Sequence, residues 1–180
     1  MEGLVSLLDA PHEARVRAIW DTLEKTFGLT FLPRQTPIPH ISYYVAERID
    51  AGTIRPPLQT IAQQAAPFNV RAIGLGLFTY PHLVLYLPVV RSVALTALHG
   101  LLRPAFAAAA VAPLPHYAAD RWLPHITLVQ GDLTDDNLSA VLRWFRHTPI
   151  DWEITINNVA LIANTPHEFH PENVFFFSRA

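Results

Sequence analysis

Leu123-Pro124-His125-Ile126-Thr127-Leu128-Val129 decides how the chain is read, because a similar stretch, Ile38-Pro39-His40-Ile41-Ser42-Tyr43-Tyr44-Val45, precedes it with the two His 85 residues apart. Each is a short apolar run with the composition of a β-strand. Strand side chains alternate faces with a period of two. His125 and Thr127 therefore share one face of their strand, and His40 and Ser42 share one face of theirs. Ile126 and Ile41 point the other way, toward a core. The same period puts Tyr44 on the face of His40 and Ser42, and Tyr43 on the core face.

Outward from these strands, the pattern β-α-β-α-β occurs twice. Residues 4–8 read as a strand. Asp9 and Pro11 start a helix with Val16, Ile19, Trp20, Leu23 and Phe27 on one face, and Gly28 ends it. After the first His strand come a helix at 56–65 and a strand at 68–78. The second round has a strand at 83–89 and a helix with Leu95, Leu98, Leu101 and Leu102 as its stripe, kinked or ended by Pro104. After the second His strand, Thr134 caps a helix carrying Leu138, Val141, Leu142 and Phe145. A long strand at 151–163 and a closing one at 174–177 finish the chain. The expectation is a single bilobed α+β domain over residues 1–180, with pseudo-symmetric halves of about 1–80 and 81–180 and mainly antiparallel sheets flanking a central groove.

The chain has 180 residues, 51% of them hydrophobic, enough for a core. A formal charge of −2 argues against a long non-specific nucleic-acid groove, which needs a basic field, but not against a nucleotide or an RNA end. There are no Cys residues, so disulfides, thiol nucleophiles and zinc-thiolate sites are excluded. The first residues lack the pattern of a secretory signal, and no run of about 18 apolar residues suggests a membrane span. A cytoplasmic protein is expected.

Either His alone would read as an ordinary strand residue. Two, each two residues before a hydroxyl, in matching places, point to chemistry. An imidazole titrates near neutrality, at about 6.5, and serves as proton acceptor or donor. Facing one another across a groove, one neutral His40 or His125 accepts a proton from an attacking oxygen and the other, protonated, supplies the departing one. Ser42 and Thr127 donate to the non-bridging oxygens of a phosphodiester, where charge develops. The working assignment makes His125 the base and His40 the acid, although pseudo-symmetry leaves the roles open.

With these motifs the chain resembles the 2H phosphoesterase superfamily, which includes 2′-5′ RNA ligase-like proteins and RNA 2′,3′-cyclic phosphodiesterases. Trp122-Leu123-Pro124-His125-Ile126-Thr127-Leu128 is similar to the family's second motif. Ile73-Gly74-Leu75-Gly76-Leu77-Phe78 and Leu83-Val84-Leu85-Tyr86-Leu87-Pro88 are similar to its mid-chain strand pair. The first motif departs in having Ser42 where Thr is commoner. The resemblance implies two lobes about a groove and no cofactor or metal. It implies hydrolysis of a 2′,3′-cyclic phosphate, usually to a 2′-phosphate, on a nucleotide or RNA 3′ end. Action on 2′-5′ linkages or on ADP-ribose cyclic phosphate, or phosphate recognition without turnover, fits the same motifs.

Other residues are candidates for substrate contact. Tyr44 and Trp122 offer rings for a base, and Arg34 and Arg121, which precede the two His strands, offer guanidinium groups for phosphate. Tyr117, Phe78 and Tyr80 lie near the groove mouths and read as packing. His167-Glu168-Phe169-His170 invites a metal reading, but its spacing lacks the i, i+4 geometry of a helical zinc motif, and no metal is assigned.

Overall fold

The computed structural model describes residues 1–163 and 173–179. Strand β1 (Glu2–Leu7) leads into helix α1 (Ala10–Phe27), whose first turn is capped by the Asp9 carboxylate accepting the His12 N–H at 3.1 Å. Val16, Ile19, Trp20 and Leu23 form its buried face, and Gly28 ends it at φ +70°, a conformation that favours glycine. A short helix, α2 (Phe31–Gln35), precedes β2 (His40–Ile49), the first His strand. Helix α3 (Ala51–Gln64) starts five residues before the expected Pro56, because Asp50 caps it by accepting the Thr53 N–H at 2.8 Å. The expected strand at 68–78 is two, β3 (Phe68–Ile73) and β4 (Gly76–Phe78), broken where Gly74 takes φ +70°.

Strand β5 (Val84–Pro88) is followed by α4 (Val93–Ala109), which runs through Pro104 rather than ending there. Leu101, expected on its apolar stripe, is 61% exposed. Strand β6 (Ala110–Pro113) and a single 3-10 turn at Pro115–Tyr117 lead to β7 (His125–Gln130), the second His strand. Helix α5 (Asp135–Phe145) carries the capping box of Thr134 and Asn137 and buries Val141 and Phe145, while Leu142 faces out. The expected long strand at 151–163 is also two, β8 (Asp151–Ile156) and β9 (Asn158–Ala163), before β10 (Val174–Phe176).

One sheet has the order β10-β9-β1-β2-β6, with every pair antiparallel. Helices α3 and α4 pack together on it, α4 against β2 and α3 against β9 and β10. In the other lobe β4-β5-β7 and β3-β8 are joined by an antiparallel bridge between Ala72 and Val89 and by the Val90 N–H donating to Arg71 O at 2.7 Å. Helix α1 lies on this side, against α5 and β7, with His12 over Trp152.

The architecture is α+β with two antiparallel lobes, as expected, but the lobes do not coincide with the halves 1–80 and 81–180. The first sheet needs β9 and β10 from the end of the chain, and the second needs β3 and β4 from the first half. The exchange turns on Asn158, which is buried and imitates a strand partner. Its side chain accepts the Leu7 N–H at 2.9 Å and donates to Leu7 O at 3.1 Å. No helix among the described residues is long and apolar enough to cross a membrane.

Candidate active site

The two His strands carry the same irregularity at the same place. Along β1 and β2, Leu7 faces His40, Ser6 faces Ile41 and Val5 faces Ser42, but the next pair is Leu4 with Tyr44. Along β5 and β7, Pro88 faces His125, Leu87 faces Ile126 and Tyr86 faces Thr127, but the next pair is Leu85 with Val129. Tyr43 and Leu128 are thus the extra residues of two bulges, each directly after the hydroxyl residue. Up to the bulge the period-two reading holds, and Ile41 and Ile126 are fully buried. Beyond it the faces exchange.

Tyr44 therefore does not flank the His40 face, which corrects its expected role in substrate contact. It is 4% exposed, stacks between His99 and Phe106 with ring centroids 4.4 and 4.7 Å away, and donates its hydroxyl to His99 O at 2.9 Å. Trp122 is likewise core rather than a base platform. It is 3% exposed, stacks on His99 at 4.1 Å, and its indole N–H donates to Ser42 O at 2.8 Å.

His40 and His125 are held in the same way. The carbonyl of Ile38 accepts from His40 Nδ1 at 2.7 Å, and that of Leu123 accepts from His125 Nδ1 at 2.7 Å. With the proton on Nδ1, each neutral ring leaves the Nε2 lone pair free. Strands β2 and β7 approach within 8 Å between Cα atoms, and the two imidazoles feel each other's charge. Burial pushes His40 down to about 4, its carbonyl partner opposes this, and the charge of His125 lowers it further. Burial also lowers His125, with its own carbonyl partner opposing. Burial thus favours the neutral form of both rings in the free protein.

Two aromatic rings stand beside His125. Phe78 stands edge-on to it with centroids 5.3 Å apart, and Tyr86 lies at 5.1 Å. Phe78 and Tyr86 stack at 4.3 Å and form a wall on this side. Tyr86 fits only because its strand partner is Gly76, where a Cβ would stand 2.2 Å from the phenol ring. In the sequence Phe78 reads as packing and Tyr86 as one more residue of an apolar strand. The available signal is position: Tyr86 is opposite Thr127 in the neighbouring strand.

Ser42 and Thr127 are half-buried beside their His. They differ in company. The main-chain carbonyl of Ser42 accepts from the Trp122 indole, whereas Thr127 stands opposite Tyr86 of β5. Arg34 and Arg121 are exposed, each 3.9 Å from an acidic oxygen, of Glu24 and Asp120 respectively. His167 and His170 lie outside the described residues. Among those described, no cluster of three His, Asp or Glu side chains is arranged to hold a metal ion.

Two antiparallel lobes that each present a His-x-Ser/Thr strand to the other are the architecture of a 2H phosphoesterase. The chain belongs to the 2′-5′ RNA ligase superfamily, which it matches over residues 8–168. Among solved structures it is similar to TT0787 of Thermus thermophilus, at 17% identity and a TM-score of 0.63 over 96% of this chain and 91% of that one. It is also similar to E. coli LigT complexed with 3′-AMP, at 17% identity and a TM-score of 0.53 over 96% of this chain and 92% of that one. At that identity the likeness concerns the fold. No curated protein sequence matches the chain.

Proposed function

We propose that the protein is a metal-independent phosphodiesterase that opens 2′,3′-cyclic phosphates on nucleotides or RNA 3′ ends. The observation that carries this is the pair of imidazoles, each with Nδ1 tied to the carbonyl two residues upstream and each perturbed by burial. Such a pair supplies both halves of acid–base catalysis. One Nε2 takes a proton from water as its oxygen attacks phosphorus. The P–O3′ bond breaks, and the other imidazole gives its Nε2 proton to the departing 3′-oxygen. The product is a 2′-phosphate. Ser42 and Thr127 donate to the non-bridging oxygens as charge builds on them.

The two rings are held alike, so the working assignment stands, with His125 as base and His40 as acid and the roles interchangeable by pseudo-symmetry. Arg34 and Arg121, exposed and close to the starts of the His strands, are retained as contacts for flanking phosphates. That LigT was crystallised with 3′-AMP supports a nucleotide as the ligand class.

Hydrolysis of a 2′,3′-cyclic nucleotide in excess chelator, followed by phosphorus NMR, tests the reading. A single phosphomonoester isomer is expected, with turnover reduced at least ~10²-fold in His40→Ala and in His125→Ala. Near-wild-type activity in either variant removes the mechanism. Tight binding with no product from the wild type points to recognition alone. Turnover of only 2′-5′-linked or ADP-ribose cyclic substrates keeps the chemistry and changes the substrate.

A further inference from the structure

We infer that Trp122 is a positioning residue whose indole N–H, by holding the Ser42 carbonyl, sets the place of the His125 imidazole relative to the phosphate hydroxyl of the other lobe. The inference rests on the paired-His reading above and adds a residue that touches neither the substrate nor the reacting atoms. Proton transfer depends on how the two motifs stand to one another, and a displacement of about 1 Å can cost ~10²-fold in rate. Strands β2 and β7 belong to different sheets, so no strand ladder fixes that relation.

The chain crosses between the lobes just after Trp122. The indole is buried in the first lobe, where His99 of α4 stacks on it at 4.1 Å and its Nε1–H donates to Ser42 O at 2.8 Å. Two residues on, Pro124 O accepts the Val89 N–H at 3.0 Å, next to the end of β5 in the second lobe. Leu123 lies at the crossing, and its carbonyl is the one that accepts from His125 Nδ1. One hydrogen bond and one peptide link thus join the main chain of Ser42 to the carbonyl that orients His125. A ring locked by packing aims its N–H without further ordering. The backbone N–H of Trp122 is held too, donating to Ala118 O at 2.8 Å. His40 lacks such a link, since its ring is tied to Ile38, two residues upstream in its own segment.

Trp122→Phe would remove the N–H together with part of the ring. The test therefore places β-(3-benzothienyl)alanine at position 122, which keeps the fused ring and has sulfur where the indole has N–H. The readouts are turnover of a 2′,3′-cyclic nucleotide and, by NMR, solvent exchange of the Nδ1 protons of His125 and His40. Turnover should fall about tenfold in kcat, the rate equivalent of one hydrogen bond, with KM within about twofold. Exchange of the His125 Nδ1 proton should speed up about tenfold, while that of His40 stays within about twofold of the wild type. A general loosening of the fold would move both rings alike. Unchanged kcat, an unchanged His125 proton, or equal acceleration at the two rings overturns the inference. Absence of turnover in the wild type would instead overturn the paired-His reading, and the two ring protons then judge the Trp122 tie independently.

Discussion

His40 links the candidate chemistry to stability in a way that can be measured without a substrate. Its imidazole is lowered to about 4 in the folded protein, chiefly by burial. In the unfolded chain it titrates near about 6.5. Between these values the unfolded state binds more protons, so stability falls as the pH falls. The contribution is intact above pH ~6.5 and is lost progressively down through pH ~4. For these two values the loss is about 2 kcal/mol at pH 5 and approaches about 3 kcal/mol below pH 4. His125 and His99 are lowered by burial too and act in the same direction, so the protein as a whole loses more. Replacement isolates the His40 part. His40→Asn removes the titration while keeping an N–H that can serve the Ile38 carbonyl. Urea denaturation of both proteins at pH 7 and pH 5 gives four stabilities. The variant should gain about 2 kcal/mol on the wild type between the two pH values. Parallel curves, agreeing within about 0.5 kcal/mol, would refute the claim that burial holds His40 neutral.

Gly76→Ala should displace the Tyr86 ring, since the new Cβ would stand 2.2 Å from it, and thereby strip the wall from His125. A stability loss of about 1–3 kcal/mol is expected, and turnover should fall in protein that calorimetry shows to be folded. Wild-type turnover would place Tyr86 outside the reaction. Asn158→Ala leaves the N–H and C=O of Leu7 without the side chain that serves both. It should cost about 2–4 kcal/mol in denaturant unfolding, and a cost under about 1 kcal/mol would mean the amide does not hold the sheet exchange.

The motifs and the element order are legible in the sequence because they depend on local periodicity and caps. His40 with Ser42 and His125 with Thr127 need only two residues of regular strand. Tyr44 lies past an extra residue, and nothing in Tyr43-Tyr44 marks a bulge, so strict alternation carries the face one residue too far. At α3, Pro56 suggests a first helical turn more strongly than Asp50 suggests a cap, and the cap prevails in the structure. Residues 151–163 read as one strand, and the break at Asn157-Asn158 is decided by Leu7, far away in the sequence. Trp122 is visible as an aromatic beside the second motif. That it holds the first motif's serine depends on a tertiary approach of β2 and β7 that no local pattern encodes.

The pairing of β1 with β9 has a consequence for synthesis. Glu2 meets Ala163 and Val5 meets Ala160, so β1 finds its outer neighbour only after the intervening chain and β9 have been made. A ribosome adding about 5–20 residues per second takes on the order of ten seconds to pass from the first His strand to β9. Throughout that interval the antiparallel pair of β1 and β2 presents an open hydrogen-bonding edge, the kind of edge on which chains aggregate. Nascent chains are thus most exposed to mispairing before Asn158 emerges, and a holdase that covers residues 2–7 during elongation should raise the yield of native protein more than one acting after release.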